Sequence, residues 1–311
     1  MNIFETVLEN YQVRKTKKQK DEFLSLVESS ARVNGYSCRT EKGLCGARNI
    51  IVGDTESAKV VYTAHYDTCT HLPFPNFITP KKFSIYLMFQ LTVTLCISVF
   101  IGLLIGTTIC VADLVFGSVP WVISPLMGLL AFLVFFVIFY AGPANKHTAN
   151  DNTSGVVTLL RIMERMPEDK RKNAAFIFFD LEESGLFGSA GYASRHKGEK
   201  KNKLVVNFDC VSDGNHILFV LRRGAVKDRA LFEKYFESNE DFSVEILDKG
   251  VFYPSDQANF ERGVGVAALK YSKRLKTLYM NRIHTSKDVI FDEKNIEYLS
   301  ARAVRMASEW E

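Results

Sequence analysis

Apolar residues are distributed unevenly along the chain of 311 residues. Over residues 83–145 the only charged residue is Asp113, which separates two uncharged stretches at Phe83–Val111 and Val119–Gly142. A transmembrane helix needs about 20 predominantly apolar residues, and both stretches exceed that length. Neither stretch has the polar face that a buried helix of a soluble protein usually keeps. The pattern therefore predicts a transmembrane helical hairpin, with helices at about 83–111 and 119–142 and a turn between them.

A hairpin returns the chain to the side of the membrane that it left. Lys81 and Lys82 precede the first helix, Lys146 and His147 follow the second, and the turn carries no Lys or Arg. Positively charged flanks are retained on the cytoplasmic side of a membrane. We therefore expect a cell-membrane protein whose two helices cross the bilayer and whose termini and remaining residues are cytoplasmic.

The rest of the chain alternates between apolar runs typical of buried strands and segments with helical periodicity. The strand-like runs are Ala47–Val52, Lys59–Ala64, Ala174–Asp180, Leu204–Phe208, His216–Leu221, Ser243–Leu247 and Val266–Tyr271. The helical segments are Phe4–Arg32, Ser154–Arg165, Gly188–His196, Asp228–Glu237 and Glu293–Trp310. Strands that alternate with helices indicate a mainly parallel sheet with helices on both faces. The sequence thus predicts a three-layer α/β/α domain, built from residues 1–80 and 147–311 and interrupted by the hairpin insertion at 81–146.

Composition and charge exclude several other classes of protein. Charged residues make up 24% and aromatic residues 12% of the chain, which excludes a disordered polypeptide. The 39 Lys and Arg residues against 35 Asp and Glu leave a net charge of +4, too small to indicate a nucleic-acid partner. A basic run at residues 14–20 could contact anionic lipid headgroups, and a solvated helix face is the simpler interpretation. The six cysteines lack metal-binding spacing and are interpreted as reduced thiols, and no pattern reports the oligomeric state.

Acidic residues and histidines follow the predicted strands. His65 and Asp67 come after the second predicted strand, Glu182 and Glu183 after the third, and Asp209 after the fourth. Ligands of parallel α/β sheets bind beyond the carboxyl ends of the strands. We therefore expect these side chains to meet at one edge of the sheet.

Two residues outside the strands complete this set. Asp151 stands at the start of a predicted helix, and His284 lies in a polar segment after the last predicted strand. Taken singly, they suit a helix cap and a structural histidine. Together with the strand-end residues, they supply the carboxylates and imidazoles that a two-metal site requires.

These residues belong to motifs that occur in a fixed order along the chain. The motifs are His65-x-Asp67, Asn150-Asp151-Asn152-x-Ser154-Gly155, Glu182-Glu183-x-Gly185-Leu186-x-Gly188-Ser189, the strand-end Asp209, and His284-Thr285-x-x-Asp288. In this order, over about Val60–Asp288, they resemble peptidase family M28, whose members are zinc aminopeptidases. The segment Ser255–Phe260 also resembles the Ser-Asp-His-x-x-Phe element of that family, with Gln257 in place of the histidine.

The resemblance implies a zinc exopeptidase-like fold and an aminopeptidase that hydrolyses the N-terminal residues of peptides with a metal-activated water. It implies two Zn²⁺ per chain, and the same ligand types would also accept Co²⁺ or Mn²⁺. The implied ligands are His65 and Asp209 for one ion, Glu183 and His284 for the other, and Asp151 as the bridge between them.

The resemblance also implies roles for four residues that do not bind metal. Glu182 would be the general base, and Asp67 would orient His65 by accepting its second N–H. Tyr253 and Asp256 are expected on the substrate side of the site.

Two other functions remain open at this point. Glutaminyl cyclases share the M28 fold but act through a single zinc, and they tend to have Trp directly before the final His, where this chain has Ile283. A non-catalytic membrane scaffold on a peptidase fold would be expected to have lost metal ligands, and none is missing here.

In the sequence, the hairpin lies between two residues of the implied site. It leaves the domain after Asp67 and returns before Asp151. This favours a cleft near the cytoplasmic membrane surface that meets membrane-associated peptides, and the alternative is a simple anchor. Cys69 and Cys210 lie close to Asp67 and Asp209, so an adventitious metal contact is one interpretation of each cysteine and packing is the simpler one.

Overall fold

The computed structural model describes residues 3–117 and 123–310. Its strands form one sheet in the order β1-β2-β4-β3-β5-β8-β6-β7, with β9 paired to β8. The strands are β1 (Cys38–Lys42), β2 (Arg48–Val52), β3 (Val60–His65), β4 (Ala174–Phe179), β5 (Leu204–Phe208), β6 (His216–Leu221), β7 (Ser243–Leu247), β8 (Gly263–Ser272) and β9 (Thr277–Tyr279). The helices are α1 (Ile3–Asn10), α2 (Lys17–Val33), α3 (Phe83–Phe116), α4 (Ile123–Ala141), α5 (Gly155–Arg165), α6 (Phe187–Arg195), α7 (Lys197–Asn202), α8 (Arg229–Tyr235) and α9 (Glu293–Glu309).

The sheet is mixed, and the predicted parallel arrangement describes its centre. Strand β3 runs parallel to β4 and β5, and β5 runs parallel to β8. Towards the edges, β1 pairs antiparallel with β2, β2 with β4, and β6 with β8. A short connection joins β1 to β2, and such a connection permits only antiparallel pairing. The sequence pattern does not predict β1, because its residues are mostly polar and only partly buried.

Helices bury both faces of the central strands. In β4, Phe176 and Phe178 pack with residues of α2, α5 and α9 on one face. Ile177 and Phe179 belong to a second cluster on the other face, together with Tyr192 of α6. Successive residues of a strand point to opposite faces, so a strand covered on both sides needs a continuous apolar run. The predicted α/β fold with helices on both faces of the sheet is therefore confirmed.

The N-terminal helix predicted over Phe4–Arg32 is in fact two helices, α1 and α2. Thr16 begins α2, since its side chain accepts a hydrogen bond from the Gln19 N–H while the Gln19 side chain accepts one from the Thr16 N–H. This reciprocal capping box fixes the start of a helix. The irregular segment 11–16 before it lies against the residues that follow β3.

Two consecutive helices, α3 and α4, occupy the predicted hairpin and pack against each other. Helix α3 includes Asp113, which the prediction places between the helices. Among the described residues, one helix is long and apolar enough to cross a membrane, at Phe83–Val115, and a shorter apolar stretch, Pro125–Phe135, lies within α4. One candidate membrane span is thus found where two are expected. The part of the predicted turn at residues 118–122 lies outside the described residues.

Candidate metal centre

Three neighbouring strands carry predicted site residues to the same edge of the sheet. Strand β3 ends with His65, β5 is followed directly by Asp209, and the loop after β4 carries Glu182 and Glu183. Because β3 lies between β4 and β5 and all three run in the same direction, these residues lie beyond one edge of the sheet.

Asp151 and His284 reach the same place from two loops. Asp151 lies in the turn before α5, and His284 lies in the loop between β9 and α9. Asp288 connects these loops, because its carboxylate accepts the backbone N–H of Asn150 at 2.8 Å and that of Asp151 at 3.0 Å. His284 has a positive φ of 67°. This conformation costs a non-glycine residue about 1–2 kcal/mol and persists only where the surrounding structure enforces it.

The start of α5 requires a glycine to hold Asp151 in this position. A Cβ atom on Gly155 would lie 2.2 Å from the carbonyl oxygen of Phe208, the last residue of β5. The Asn152 side chain donates to that same carbonyl at 3.0 Å and accepts the Gly155 N–H at 3.0 Å. The Asn-Asp-Asn-Thr-Ser-Gly motif therefore fixes the turn against the end of β5, beside Asp209.

The imidazoles and carboxylates form two clusters that share Asp151. In the first, His65 Nε2 lies 3.2 Å from Asp151 Oδ1 and 3.6 Å from Asp209 Oδ1. In the second, His284 Nε2 lies 3.1 Å from Asp151 Oδ2 and 3.4 Å from Glu183 Oε2. Each oxygen of the Asp151 carboxylate thus faces a different cluster.

The donor types and spacings of both clusters fit zinc. Zn²⁺ binds histidine nitrogen and carboxylate oxygen at about 2.0–2.2 Å, which places tetrahedral ligand atoms about 3.4 Å apart. The separations in both clusters lie close to that value. In addition, Glu183 Oε1 is buried without a hydrogen-bond partner, as expected of an oxygen available to a cation.

Desolvation, followed by the charges of neighbouring carboxylates, governs the electrostatics of this region. Burial raises the pKa of Glu182 well above its usual value, with His65 opposing the shift and Glu183 and Asp209 adding to it. Burial likewise raises the pKa of Glu183, and the carboxylate of Asp151 adds to that shift. Neighbouring like charges disfavour ionisation, and a nearby cation reverses the effect. The region is therefore suited to divalent cations.

Asp67 connects the residues after β3 to the loop after β4. Its Oδ1 atom lies 3.5 Å from His65 Nδ1, on the side of the ring opposite the first cluster. Its two oxygens also accept the backbone N–H groups of Glu182 at 3.0 Å and Glu183 at 3.2 Å. His65 Nδ1 forms no hydrogen bond at this distance, so the expected hydrogen bond to Asp67 is not observed, whereas the Asp67 carboxylate holds the backbone of two further site residues.

Only part of the basic run at residues 14–20 forms the solvated helix face that its sequence predicts, since Lys17 and Lys18 are exposed on α2. Arg14 is fully buried. Its Nε donates to the carbonyl of Tyr66 at 2.5 Å, and its backbone N–H donates to Thr68 Oγ1 at 2.8 Å. Burial lowers the pKa of Arg14 to about 10, with Asp67 and Asp151 opposing the shift, so it remains a cation at neutral pH. Lys20 is also buried and pairs with Asp180.

A cavity of about 270 Å³ opens onto both clusters, and Glu182 and Tyr253 line it. Tyr253 donates its hydroxyl to the Asp209 carbonyl at 3.0 Å. Asp256 is fully buried, and it does not line this cavity. Of the two residues expected on the substrate side, Tyr253 therefore lies at the cleft and Asp256 behind it.

Fold and donor set together define the class of protein: an α/β domain with a candidate metal centre at the ends of its central strands. A model described as peptidase family M28 matches residues 136–307, which is more than half of the chain. The chain therefore belongs to peptidase family M28, and the family indicated by its motifs is confirmed.

Individual relatives agree with this membership. A probable leucine aminopeptidase 2 of Aspergillus oryzae is 32% identical over 112 residues, which cover 32% of this chain and 22% of that protein. A Zn-dependent exopeptidase from Parabacteroides distasonis has a TM-score of 0.57 at 14% identity, covering 99% of this chain and 97% of that one. A glutaminyl cyclase from Bacteroides thetaiotaomicron has a TM-score of 0.57 at 14% identity, with 99% and 96% covered. At such identities the two structures show the shared fold alone.

The Asp67 contacts lead to a prediction about metal affinity. In Asp67→Asn, an amide N–H₂ replaces one of the two oxygens that accept backbone N–H groups, so the loop after β4 shifts. Loss of a residue that orients metal ligands typically lowers metal affinity by about 10–100-fold. Titration of the metal-depleted protein with zinc checks this, with Asp169→Asn on the exposed surface as the matched control. Equal affinities for the two variants would contradict the role given to Asp67.

Proposed function

We propose that this chain is a membrane-anchored di-zinc aminopeptidase that removes N-terminal residues from peptides. The observation that carries this proposal is the pair of clusters joined by Asp151. Each oxygen of its carboxylate faces one imidazole, at 3.2 Å from His65 and 3.1 Å from His284. These distances are close to the separation of two ligand atoms on one zinc ion. His65 and Asp209 would hold one ion, Glu183 and His284 the other, and Asp151 both. When bound, two such ions acidify a shared water and polarise the carbonyl of the scissile bond.

Glu182 is the residue best placed to move the proton. It lines the cleft without being needed in either cluster, and Asp67 holds its backbone. As general base, its carboxylate takes a proton from the attacking water and delivers it to the leaving amine. The acidic lining of the cleft also suits the positively charged amino terminus of a peptide, which favours an aminopeptidase.

The membrane part of the proposal rests on the contacts of α3. Its Phe83 ring lies 4.9 Å from the ring of Phe252, the neighbour of Tyr253 in the cleft. Gln90 of α3 donates to Asn76, which lines the same cleft, at 3.3 Å. The start of the candidate membrane span, from Phe83 to Gln90, thus contacts Asn76, which lines the cleft, and Phe252, which adjoins a lining residue. This supports a cleft close to the cytoplasmic membrane surface and substrates that are membrane-associated peptides.

Replacement of the proposed base gives the sharpest test of the mechanism. Glu182→Gln is expected to keep both zinc ions and to lose about 10²–10⁴-fold in kcat, the usual contribution of a general base. The measurement combines a zinc count with hydrolysis of peptides that carry a free or a blocked amino terminus. Glu183→Gln is the matched comparison, because it should lose zinc as well as activity.

Three results of this experiment would contradict the proposal. Near-normal turnover by Glu182→Gln would remove that residue from the mechanism. Cleavage of blocked peptides at the same rate as free ones would contradict an aminopeptidase. Cyclisation of N-terminal glutamine by protein with one zinc would favour the glutaminyl cyclase function, whose structures share this fold.

Membrane anchoring predicts how the full chain fractionates. A bilayer-spanning helix is inserted effectively irreversibly, so the chain should stay in the membrane pellet after alkaline carbonate washing. An N-terminal tag should be digested by protease only when the cytoplasmic face is accessible. Release of the chain by carbonate, or digestion of the tag from the opposite face, would contradict this arrangement.

A further inference from the structure

Cys69 lies in the second cluster, among the donors of a candidate metal ligand set. Its sulfur and one donor atom each from Asp151, Glu183 and His284 all lie within 4.8 Å of one another. Cys69 is only 1% exposed. A buried soft thiol therefore lies with the buried carboxylate of Asp151 and with the half-buried side chains of Glu183 and His284.

The base of the insertion holds Cys69 in this position. Its backbone carbonyl accepts the N–H of Asn145 at 3.0 Å, and the next residue, Thr70, forms an antiparallel bridge with Ala144. The Asn145 side chain donates to the carbonyl of Thr285 at 3.0 Å, which links this bridge to the loop of His284. The two ends of the insertion are thus paired with each other beside the second cluster.

We propose that Cys69 is a fourth protein ligand, as a thiolate, of the ion held by Asp151, Glu183 and His284. This inference rests on the proposed function, because it requires that the second cluster binds a metal. On binding, the thiol loses its proton to solvent and the sulfur forms the bond to the ion. Thiolate ligation favours zinc or cobalt over manganese or magnesium.

This ligand makes the two metal positions unequal. The second position has four protein ligands, the number found in structural zinc sites, whereas the first has three, as in catalytic sites with an open position. The ion that His65, Asp151 and Asp209 would hold would therefore keep the more open coordination for the shared water. The ion at the second position would in addition hold the loops of Cys69 and His284 together.

Cys210 provides the matched comparison for Cys69. It is also buried and directly follows Asp209. Within the described ranges, however, its sulfur belongs to none of the groups whose donor atoms could hold an ion. Proximity in sequence to a candidate ligand therefore does not by itself bring a thiol into a cluster.

Cobalt spectroscopy of the full chain in detergent tests the proposal. Metal-depleted protein loaded with Co²⁺ alone should show a thiolate-to-cobalt charge-transfer band in the near ultraviolet. The band should be absent from Cys69→Ser and present in Cys210→Ser. A chelator titration should show that Cys69→Ser lowers the affinity of the protein for one of the two bound ions by about tenfold or more and leaves its affinity for the other unchanged.

A second variant keeps the test decisive if Cys69→Ser does not fold. In it, serine replaces the five other cysteines, so that Cys69 is the single thiol of the chain; the replaced residues are Cys38, Cys45, Cys96, Cys110 and Cys210. This protein must still show the band. If wild-type protein binds two cobalt ions without the band, the inference is overturned and the proposed function stands. If it binds no cobalt, both fail.

Discussion

Buried carboxylates that converge on one small region are the constraint on which the rest of this structure depends. Burial and mutual repulsion raise the pKa of both Glu182 and Glu183, so the cluster is unfavourable unless cations or donors offset its charge. The structure supplies donors to the residues around it. Asp67 accepts two backbone N–H groups, Asp288 accepts two more, and the buried cation of Arg14 lies behind them. Glu183 Oε1 remains buried without a hydrogen-bond partner, among the imidazoles and carboxylates that could hold a metal ion.

The insertion is in direct contact with the segments that surround the candidate metal centre. The ends of the insertion pair at Thr70 and Ala144, next to Cys69, and the first turns of α3 contact Asn76 and Phe252 near the cleft. A displacement of α3 would therefore be transmitted to the loops that carry candidate ligands. Because its two ends pair at Thr70 and Ala144, the insertion fits between His65-x-Asp67 and Asp151 without separating them.

Much of the fold and of the convergence of site residues can be predicted from the sequence, because both follow from local patterns. A strand buried on both faces must be continuously apolar, so β3, β4 and β5 are recognisable from their residues. The polar residues that follow them must then lie at one edge of the sheet. The turn before α5 is recognisable from its motif, which includes the glycine needed for close contact with β5.

The features that could not be predicted depend on contacts between residues far apart in the chain. A basic run predicts exposed side chains, yet Arg14 is buried against Tyr66 and Thr68. The mostly polar strand β1 is held in the sheet by its antiparallel pairing with β2. The sequence places both Cys69 and Cys210 close to implied site residues, and only the structure shows that the Cys69 sulfur lies with the donors of His284 and Glu183. Periodicity and motif spacing carry no signal for such contacts.

A count of zinc in the full chain, purified in detergent and stripped of loosely bound metal, tests the central claim most directly. Two convergent clusters that share one carboxylate predict two zinc ions per chain. They also predict that Asp151→Ala, which removes the oxygen common to both clusters, retains less than one. A wild-type chain with no tightly bound zinc, or an Asp151→Ala variant that keeps both ions, would contradict the account.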